Sequence, residues 1–374
     1  MSEPVANSGY GLSAVAKGGA MVAPTLNYLP PRPKTYRPKI ALIGCGGISE
    51  YHLRADLALG LDVVALCDRN ADRAEQRRAE FYPAATVYSD FRDVLRRDDV
   101  EVVDVALHPD ERVAVIEAAL RARRHVLSQK PFVLDLDVGE RLVALAANQG
   151  VKLAVNQNGR WAPHLSYMAA AASAGVVGEL ASLDVTLQWD HTWTAGTAYE
   201  KIHHLILFDF GIHWFDLTAR LWRGRRPERV WASVRRASFQ KMQPPILAQV
   251  AIDYPGAQAR LNFNGHVLHG QEDRTVVAGA SGTLRSAGPS LSEQTVTVHT
   301  AAGVAGTSLE GTWFTSGFIG AMGELLGAIE ERREPDHGAA ENLHSLALTF
   351  AAIRSADTGQ PQVPGQVRQM PSSA

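Results

Sequence analysis

A glycine-rich turn between two apolar runs constrains this chain more than any other sequence feature. Residues 40–43 (Ile-Ala-Leu-Ile) have the composition of a buried strand, and residues 44–48 (Gly-Cys-Gly-Gly-Ile) follow at once. Gly44 permits a tight turn, and Gly46 lets the backbone approach a pyrophosphate at the start of the next helix. A second apolar run ends at Asp68, about 20 residues beyond the glycines, where a carboxylate accepts from both ribose hydroxyls. This order of elements predicts a dinucleotide-binding site.

The end of the second run also predicts which nicotinamide cofactor binds. The Asp68 carboxylate repels a 2′-phosphate and accepts a hydrogen bond from a free 2′-hydroxyl, which favours NAD. Arg69 beside it is positively charged and softens that preference toward NADP. We therefore expect NAD, with NADP as the less favoured alternative.

Length, charge and cysteine usage limit the classes of protein to consider. The 374 residues predict about two domains. Lys and Arg number 37 and Asp and Glu 39, so neither nucleic acid nor an anionic membrane is an expected partner. No apolar run approaches the roughly 20 residues that a membrane helix needs. Cys45 and Cys67 are too few for a disulfide framework, and we expect buried, reduced thiols in a cytoplasmic protein.

Residues 39–158 alternate short apolar runs with amphipathic helices, as a parallel sheet covered by helices requires. Strands are expected at residues 100–107, 125–130 and 152–156, in addition to the two above. Ligands of such sheets lie beyond the carboxyl ends of the strands. This rule brings five polar or glycine positions to one edge, and they are Gly44, Asp68, His108, Lys130 and Asn158. We therefore predict an α/β Rossmann domain over residues 39–158.

The pattern changes after residue 158, where consecutive strand-like segments are joined by turns. Alternating residues at 179–189, 229–239, 246–254, 258–264 and 275–278 predict a mostly antiparallel sheet. Helices are expected at residues 165–175, 205–222, 315–333 and 338–357. This pattern predicts an α+β domain over residues 159–362, with a large open-faced sheet and a C-terminal tail at 363–374. An exposed sheet face favours a homo-oligomer, such as a dimer or tetramer.

The first 38 residues form an arm of different composition, rich in Gly, Ala and Ser and then in Pro. Two interpretations stay open. Such a composition is typical of a disordered tail. A polyproline arm that lies on a neighbouring subunit is the alternative, because Tyr28, Leu29 and Tyr36 offer side chains to bury.

Short motifs throughout the chain resemble the glucose–fructose oxidoreductase / inositol dehydrogenase / rhizopine catabolism family of NAD(P)-dependent sugar oxidoreductases. The matching residues are Gly44-Cys-Gly-Gly-Ile48, Cys67-Asp-Arg69, Ala118-Ala-Leu120, His125-Val126, Gln129-Lys130-Pro131, Asn158-Gly-Arg160, Gly178-Glu179, Asp209-Phe-Gly-Ile-His-Trp-Phe-Asp216, Arg333-Glu-Pro335 and Ser355-Ala-Asp-Thr-Gly359. Three positions depart from the family pattern. The family's Glu-Lys-Pro is Gln-Lys-Pro at residue 129, its Thr-Pro-Asn is His-Pro-Asp at 108–110, and its glycine cluster is His-His-Leu-Ile at 203–206.

The resemblance implies a catalytic group of Lys130, Asp209 and His213. Lys130 would stabilise negative charge on the reacting oxygen. Asp209 and His213 are four residues apart, so on one helix they would share a face. His213 would take the substrate proton, although the sequence does not decide between Lys130 and His213 as the base. The expected cofactor-binding residues are Gly44, Gly46, Gly47, Ile48, Asp68, Arg69, His108, Gln129, Lys130 and Asn158.

Substrate contacts are expected from polar and aromatic residues that suit a sugar ring. These are Arg160, Trp161, Gln188, Asp190, Trp193 and His213. A metal site is not expected, because the spacing of His203, His204, Asp209 and His213 matches no familiar ligand set.

We expect an NAD-dependent dehydrogenase that oxidises a secondary hydroxyl of a pyranose or glycoside, with C3 as the hypothetical position. The aromatic segment 189–193 favours a substrate bulkier than inositol. The alternatives are an inositol or cyclic polyol dehydrogenase and a nonenzymatic NAD-binding sensor. All three predicted catalytic residues are present, which favours an enzyme over a sensor.

Overall fold

The computed structural model describes residues 18–372, and their backbone forms two sheets covered by helices. The first sheet is parallel, with the strand order β3-β2-β1-β4-β5-β6. Its strands are β1 Lys39–Ile43, β2 Asp62–Cys67, β3 Thr86–Tyr88, β4 Val102–Val105, β5 His125–Gln129 and β6 Leu153–Asn156. Its helices are α1 Ser49–Leu59, α2 Ala71–Phe81, α3 Phe91–Leu95, α4 Pro109–Arg121 and α5 Leu136–Gln149. The predicted Rossmann fold is confirmed, with β3 as a strand that the sequence did not reveal.

The second sheet has eight strands in the order β14-β13-β12-β11-β7-β10-β9-β8. Only β7 and β10 pair in parallel among them. The strands are β7 Leu180–Gln188, β8 Arg229–Arg235, β9 Leu247–Tyr254, β10 Ala257–Asn264, β11 Glu272–Gly279, β12 Gly282–Ser290, β13 Glu293–Thr300 and β14 Gly303–Thr307. The large, mostly antiparallel sheet is therefore confirmed, and β12 to β14 lie where no strand was predicted.

Four helices accompany the second sheet and the junction between the sheets. They are α6 Pro163–Ser173, α7 Ile212–Leu221, α8 Trp313–Glu330 and α9 Ala339–Thr358. Although α8 follows the second sheet along the chain, Phe318, Leu325 and Leu326 share a hydrophobic core with Ile40 and Leu53 of the first half. In the described part of the chain, no helix has the length and apolar character to cross a membrane.

The predicted N-terminal arm packs, in its described part, against its own chain. Ser166 Oγ donates to the carbonyl of Tyr28 at 2.7 Å. The Glu330 carboxylate accepts from the backbone N–H groups of Lys34 and Thr35, at 2.7 and 2.8 Å. Residues 18–38 therefore contact α6 and α8 of their own chain, while residues 1–17 lie outside the described residues, as do residues 373–374 of the tail.

Candidate active site

The glycine turn forms one end of a cleft at the carboxyl edge of the first sheet. Gly44 has φ +99°, and a Cβ there would lie 2.8 Å from the carbonyl oxygen of Ala106. By contrast, a Cβ at Gly46 or Gly47 would meet no described atom within 4 Å. Ser49 Oγ donates to the Gly46 carbonyl at 2.5 Å as α1 begins. The turn is thus tightly packed at Gly44 and open at Gly46 and Gly47. On that open side, its backbone and the helix N-terminus can receive a pyrophosphate.

Asp68 lies at the end of β2 and is oriented by the glycine turn itself. Its Oδ2 accepts from the Cys45 N–H and its Oδ1 from the Asn70 N–H, both at 2.8 Å. Each oxygen keeps a further lone pair for a ribose hydroxyl. The neighbouring Arg69 pairs with Glu111, whose negative charge offsets that of the guanidinium. These residues fit NAD.

A lysine and an aspartate from the two halves of the molecule form an ion pair in the cleft. Lys130 Nζ donates to Asp209 Oδ1 at 3.0 Å and to the Asp209 carbonyl at 2.9 Å. The two side chains are only 14% and 16% exposed. Lys130 directly follows β5, so it stands at the strand edge where the cofactor turn also lies. The pair therefore joins the cofactor side to the second half of the chain.

Asp209 belongs to an irregular turn, and this corrects the single helix predicted over residues 205–222. Ile206–Phe210 form a π-helical turn, and α7 begins only at Ile212. The Gly211 N–H donates to the Ile206 carbonyl at 2.8 Å, which closes a five-residue turn. Asp209 and His213 are consequently not i and i+4 on one α-helix. Asp209 meets Lys130, whereas His213 has a different partner.

His213 is held by an amide and by aromatic rings. Its Nδ1 lies 3.0 Å from Gln157 Nε2. The Trp313 ring stands at 88° to the imidazole, with centroids 5.2 Å apart. Burial, and then the positive charge of Lys130, hold the pKa of His213 well below its ordinary value. The imidazole is therefore neutral at neutral pH, with Nε2 as the ring nitrogen not occupied by Gln157.

The cleft has a volume of about 670 Å³ and brings together most of the predicted site. Lys130 and Asp209 both line it. So does every predicted cofactor residue except Asn158, and these are Gly44, Gly46, Gly47, Ile48, Asp68, Arg69, His108, Gln129 and Lys130. The strand-edge rule therefore placed these side chains in one cavity although they are distant in sequence.

His213 does not line the cleft, and three more predicted residues are buried next to it. Asn158 Oδ1 accepts from Trp313 Nε1 at 2.8 Å, so it positions a tryptophan. Arg160 forms a two-pronged ion pair with Asp216, at 2.7 and 2.8 Å, and both side chains are 2% exposed. Trp161 packs against Gly320 in the core. The structure does not bring Arg160 or Trp161 to the cleft, because a satisfied buried guanidinium and a core ring have no free surface there.

The residues predicted from the 188–193 segment separate. Gln188 lies on the open face of the second sheet, in a groove with Asn262 and Arg235. The alternation of β7 sends Leu187 inward and Gln188 outward, so Gln188 is not brought to the cleft. Asp190 accepts from Thr192 and so shapes the loop. Trp193 is 55% exposed and stands edge-to-face with Tyr199, which lines the cleft.

Several residues that line the cleft were not predicted from the sequence, and two of them are Tyr199 and Arg112. Tyr199 lies in the loop 195–205, where no periodic pattern marks it. Arg112 is fully buried and donates to the carbonyls of Leu107, Gln129 and Pro131, so it holds the ends of β4 and β5 together. Burial lowers the pKa of Arg112 to about 9. The sequence marks Arg112 only by its position on the apolar side of α4, three residues before Val115.

With this geometry in place, comparison with known proteins identifies the class. Residues 38–157 match the GFO_IDH_MocA oxidoreductase family with an NAD-binding Rossmann fold, and residues 166–285 match the GFO/IDH/MocA C-terminal domain. The two stretches together span more than half of the chain. The chain belongs to the GFO/IDH/MocA family of oxidoreductases, and its first half is an NAD-binding domain.

Individual relatives add detail at lower identity. D-apiose dehydrogenase of Paraburkholderia graminis is 25% identical over 343 residues, which cover 86% of this chain and 88% of that protein. Inositol 2-dehydrogenase of Salmonella typhimurium is 31% identical over 117 residues, which cover 31% and 35%. An oxidoreductase from Agrobacterium radiobacter, solved with NAD+, L-tartaric acid and magnesium, has a TM-score of 0.79 and 23% identity over 88% of this chain and 99% of that one. The last likeness supports the fold.

Proposed function

We propose that this protein is an NAD-dependent dehydrogenase that oxidises a secondary hydroxyl of a pyranose sugar or glycoside. The observation that carries the proposal is the ion pair of Lys130 and Asp209, with Nζ to Oδ1 at 3.0 Å, in the same cleft as the glycine turn. A positive side chain at the edge of a nucleotide-binding sheet is suited to an oxygen that becomes negative as its carbon loses hydride.

The three proposed catalytic residues have separate tasks. When bound, NAD supplies the hydride acceptor. Asp209 orients Lys130, and Lys130 stabilises negative charge on the substrate oxygen. Gln157 Nε2 donates to Nδ1 of His213, so the neutral imidazole carries its proton on Nε2 and donates a hydrogen bond to the substrate oxygen, while the Lys130–Asp209 pair takes up the hydroxyl proton. Gln157 fixes the ring through Nδ1.

The rim of the cleft supports a glycoside over a small polyol. Tyr199 lines the cleft and Trp193 extends the aromatic surface outward, with ring centroids 5.4 Å apart. Aromatic faces pack against the apolar C–H faces of sugar rings and against aromatic aglycones. The D-apiose dehydrogenase relative acts, by its name, on a sugar.

The finer proposal places the oxidised carbon at C3 of the pyranose ring. In a glycoside, C1 is an acetal with no free hydroxyl. If the aglycone lies on the aromatic rim, C3 and C4 are the positions that enter deepest. C4 stands beside the carbon that bears the bulky hydroxymethyl group, whereas both neighbours of C3 carry hydroxyls.

The test uses enzyme at a concentration stoichiometric with NAD, so that a single turnover is visible at 340 nm. Free pyranoses, aryl glucosides and inositols are offered in parallel. Reduction of the product with borodeuteride, followed by NMR, locates the oxidised carbon. We expect a signal with aryl glucosides and deuterium at C3.

Each outcome decides one part of the proposal. Turnover with inositols alone would overturn the glycoside assignment, and deuterium at another carbon would overturn C3. NAD binding with no turnover across the panel would favour the sensor. Lys130→Met is tested in the same assay, and Lys152→Met is its matched control. Lys152 is a lysine of the same half that pairs with Glu334 and does not line the cleft.

A further inference from the structure

We propose that His203, His204 and Asp357 form a binding site for a divalent transition-metal ion, with zinc as the preferred ion. This site is separate from the proposed catalytic group and does not rest on the proposed function. The three residues are far apart along the chain, because Asp357 follows His203 by 154 positions. No metal site was expected from the spacing of residues 203–213, because the third ligand, Asp357, lies outside that segment.

The two imidazoles converge on a single carboxylate oxygen. His203 Nε2 lies 2.8 Å and His204 Nε2 lies 2.9 Å from Asp357 Oδ1. The two ring centroids are 4.1 Å apart. One ligand atom from each of the three residues lies within 4.8 Å of the other two. This is the compactness that three ligands of one ion require.

The backbone is arranged to turn two successive side chains toward one point. Neighbouring side chains in an extended segment point to opposite sides. His204 has φ +46°, in the left-handed region that few non-glycine residues adopt. Its carbonyl accepts from the N–H groups of Leu207 and Phe208, at 2.8 and 3.1 Å, which fixes this conformation at the start of the π-helical turn. A strained backbone that presents two imidazoles together favours a binding role over a chance contact.

The donor set selects the ion. Two imidazole nitrogens and a carboxylate oxygen suit zinc, and they leave a fourth position for water. The side chains of His203 and Asp357 are 21% and 23% exposed, so water and the ion can reach the site. Zinc bonds of roughly 2.0–2.1 Å set tetrahedral ligand atoms roughly 3.3 Å apart. The ring nitrogens would therefore withdraw by about half an ångström from Asp357 as the ion replaces the two ring protons.

The position of the site gives the ion a structural consequence. His203 and His204 end the loop whose residues Thr197, Tyr199 and Ile202 line the cleft, whereas Asp357 lies in the last turn of α9. A bound ion would fasten this loop to α9. We therefore expect zinc to stabilise the fold by holding this loop against α9.

The experiment uses the full-length protein without a histidine tag and zinc chloride alone as the probe. Zinc affinity and stoichiometry are measured by competition with a chromophoric chelator. We expect one zinc per chain in the wild type, and an affinity at least tenfold weaker in Asp357→Asn and His203→Gln. X-ray absorption is expected to show nitrogen and oxygen neighbours and no sulfur, since Cys45 and Cys67 are buried in the other half.

The control is His344→Gln, which removes an exposed histidine from α9, the same helix that carries Asp357. It should bind zinc as the wild type does. Thermal melting without zinc shows that each variant is folded. Equal zinc affinity in the wild type and Asp357→Asn would overturn the proposal, and so would no zinc retained by the wild type. Either result would leave the cluster as a hydrogen-bonded tie, and neither would affect the test with sugars.

Discussion

The two walls of the cleft are built in different ways. One wall consists of the carboxyl ends of parallel strands, and Asp68 and Lys130 stand there in a regular order set by the sheet. The other wall consists of the π-helical turn Ile206–Phe210 and the loop that contains Tyr199. The first wall repeats a rule that many sequences share, whereas the second depends on local irregularity. The wall proposed to bind the cofactor and the wall proposed to bind the substrate are therefore encoded by separate means in this chain.

The largest effect is expected at the ion pair of Lys130 and Asp209, which crosses between the walls. Lys130→Met removes the positive charge from the substrate oxygen, and kcat should fall by about 10³-fold. NAD affinity should stay within about threefold, because the glycine turn and Asp68 are untouched. Stopped-flow absorbance and fluorescence titration with NAD measure the two quantities.

Asp209→Asn tests the same pair from the other wall. If Asp209 acts by holding Lys130, the loss should be smaller than that of Lys130→Met, and the double variant should lose no more than Lys130→Met alone. Independent, multiplicative losses would contradict the pair as a unit. Lys152→Met should retain wild-type rates.

The next effect concerns the buried ion pair of Arg160 and Asp216, which joins the segment after β6 to α7. Asp216→Ala leaves the Arg160 guanidinium buried with its main partner removed, so the free energy of unfolding should fall by about 3–5 kcal/mol. Urea denaturation measures the change. Asp184→Ala breaks an exposed pair with Arg260 on the open face of the sheet and should cost under about 1 kcal/mol. If Asp216→Ala and Asp184→Ala lowered the free energy of unfolding equally, burial would not determine the contribution of an ion pair to stability here.

A smaller effect, dependent on pH, is expected from a buried carboxyl beneath the second sheet. Burial raises the pKa of Asp273 to about 8 from an ordinary value of 3.8. The folded state therefore keeps a proton that the unfolded state releases, and this contribution to stability is complete below pH 4 and is lost as the pH rises through about 8. At about 1.36 kcal/mol per pH unit, the contribution falls by at most about 2.7 kcal/mol between pH 6 and 8.

Asp273→Asn removes this titration and should be less sensitive to pH over the same range. The free energy of unfolding is measured in urea at pH 6 and at pH 8. As the pH rises from 6 to 8, the wild type should lose stability relative to Asp273→Asn. The neighbouring His164, whose pKa is lowered to about 3 by burial, is neutral in both folded proteins at these pH values. Parallel pH profiles for the two proteins would refute the raised pKa.

The smallest effect is a change in cofactor preference at the regular wall. Asp68→Asn removes the negative charge, and the ratio of kcat/KM for NAD to that for NADP should fall by about tenfold, or about 1.4 kcal/mol. Arg69→Met should change the ratio by less than about threefold, because Arg69 is already paired with Glu111. A larger effect at Arg69 than at Asp68 would reverse the assignment of these two residues.

The same contrast explains what the sequence could predict. Asp68 and Lys130 were found because a parallel sheet places every strand end at one edge, whatever the intervening residues. The strands β12 to β14 were missed because Gly282–Thr307 is rich in small and turn-forming residues. These strands are defined by their backbone pairing with one another across the sheet, which the sequence does not show. The π-helical turn was missed because Gly211 reads as an ordinary helix residue until its N–H is seen to bond to Ile206.

Some residues were given the wrong surroundings because only tertiary contacts decide them. Arg160 was assigned to substrate, yet Asp216 lies 56 positions away in sequence and occupies its guanidinium. Gln188 ends a strand whose alternation is visible in the sequence. The sequence does not show which of the two faces of that strand packs against the helices.

The described N-terminal segment has a consequence for the order in which the chain matures. Lys34 and Thr35 bond to Glu330, almost 300 positions later, with separations of 296 and 295 residues. During synthesis the earlier parts of a chain emerge first and fold as units. Lys34 and Thr35 must therefore wait for this partner until α8 has left the ribosome, although Tyr28 can already meet Ser166 of α6. The contacts of Lys34 and Thr35 with Glu330 are therefore among the last that this part of the chain can make.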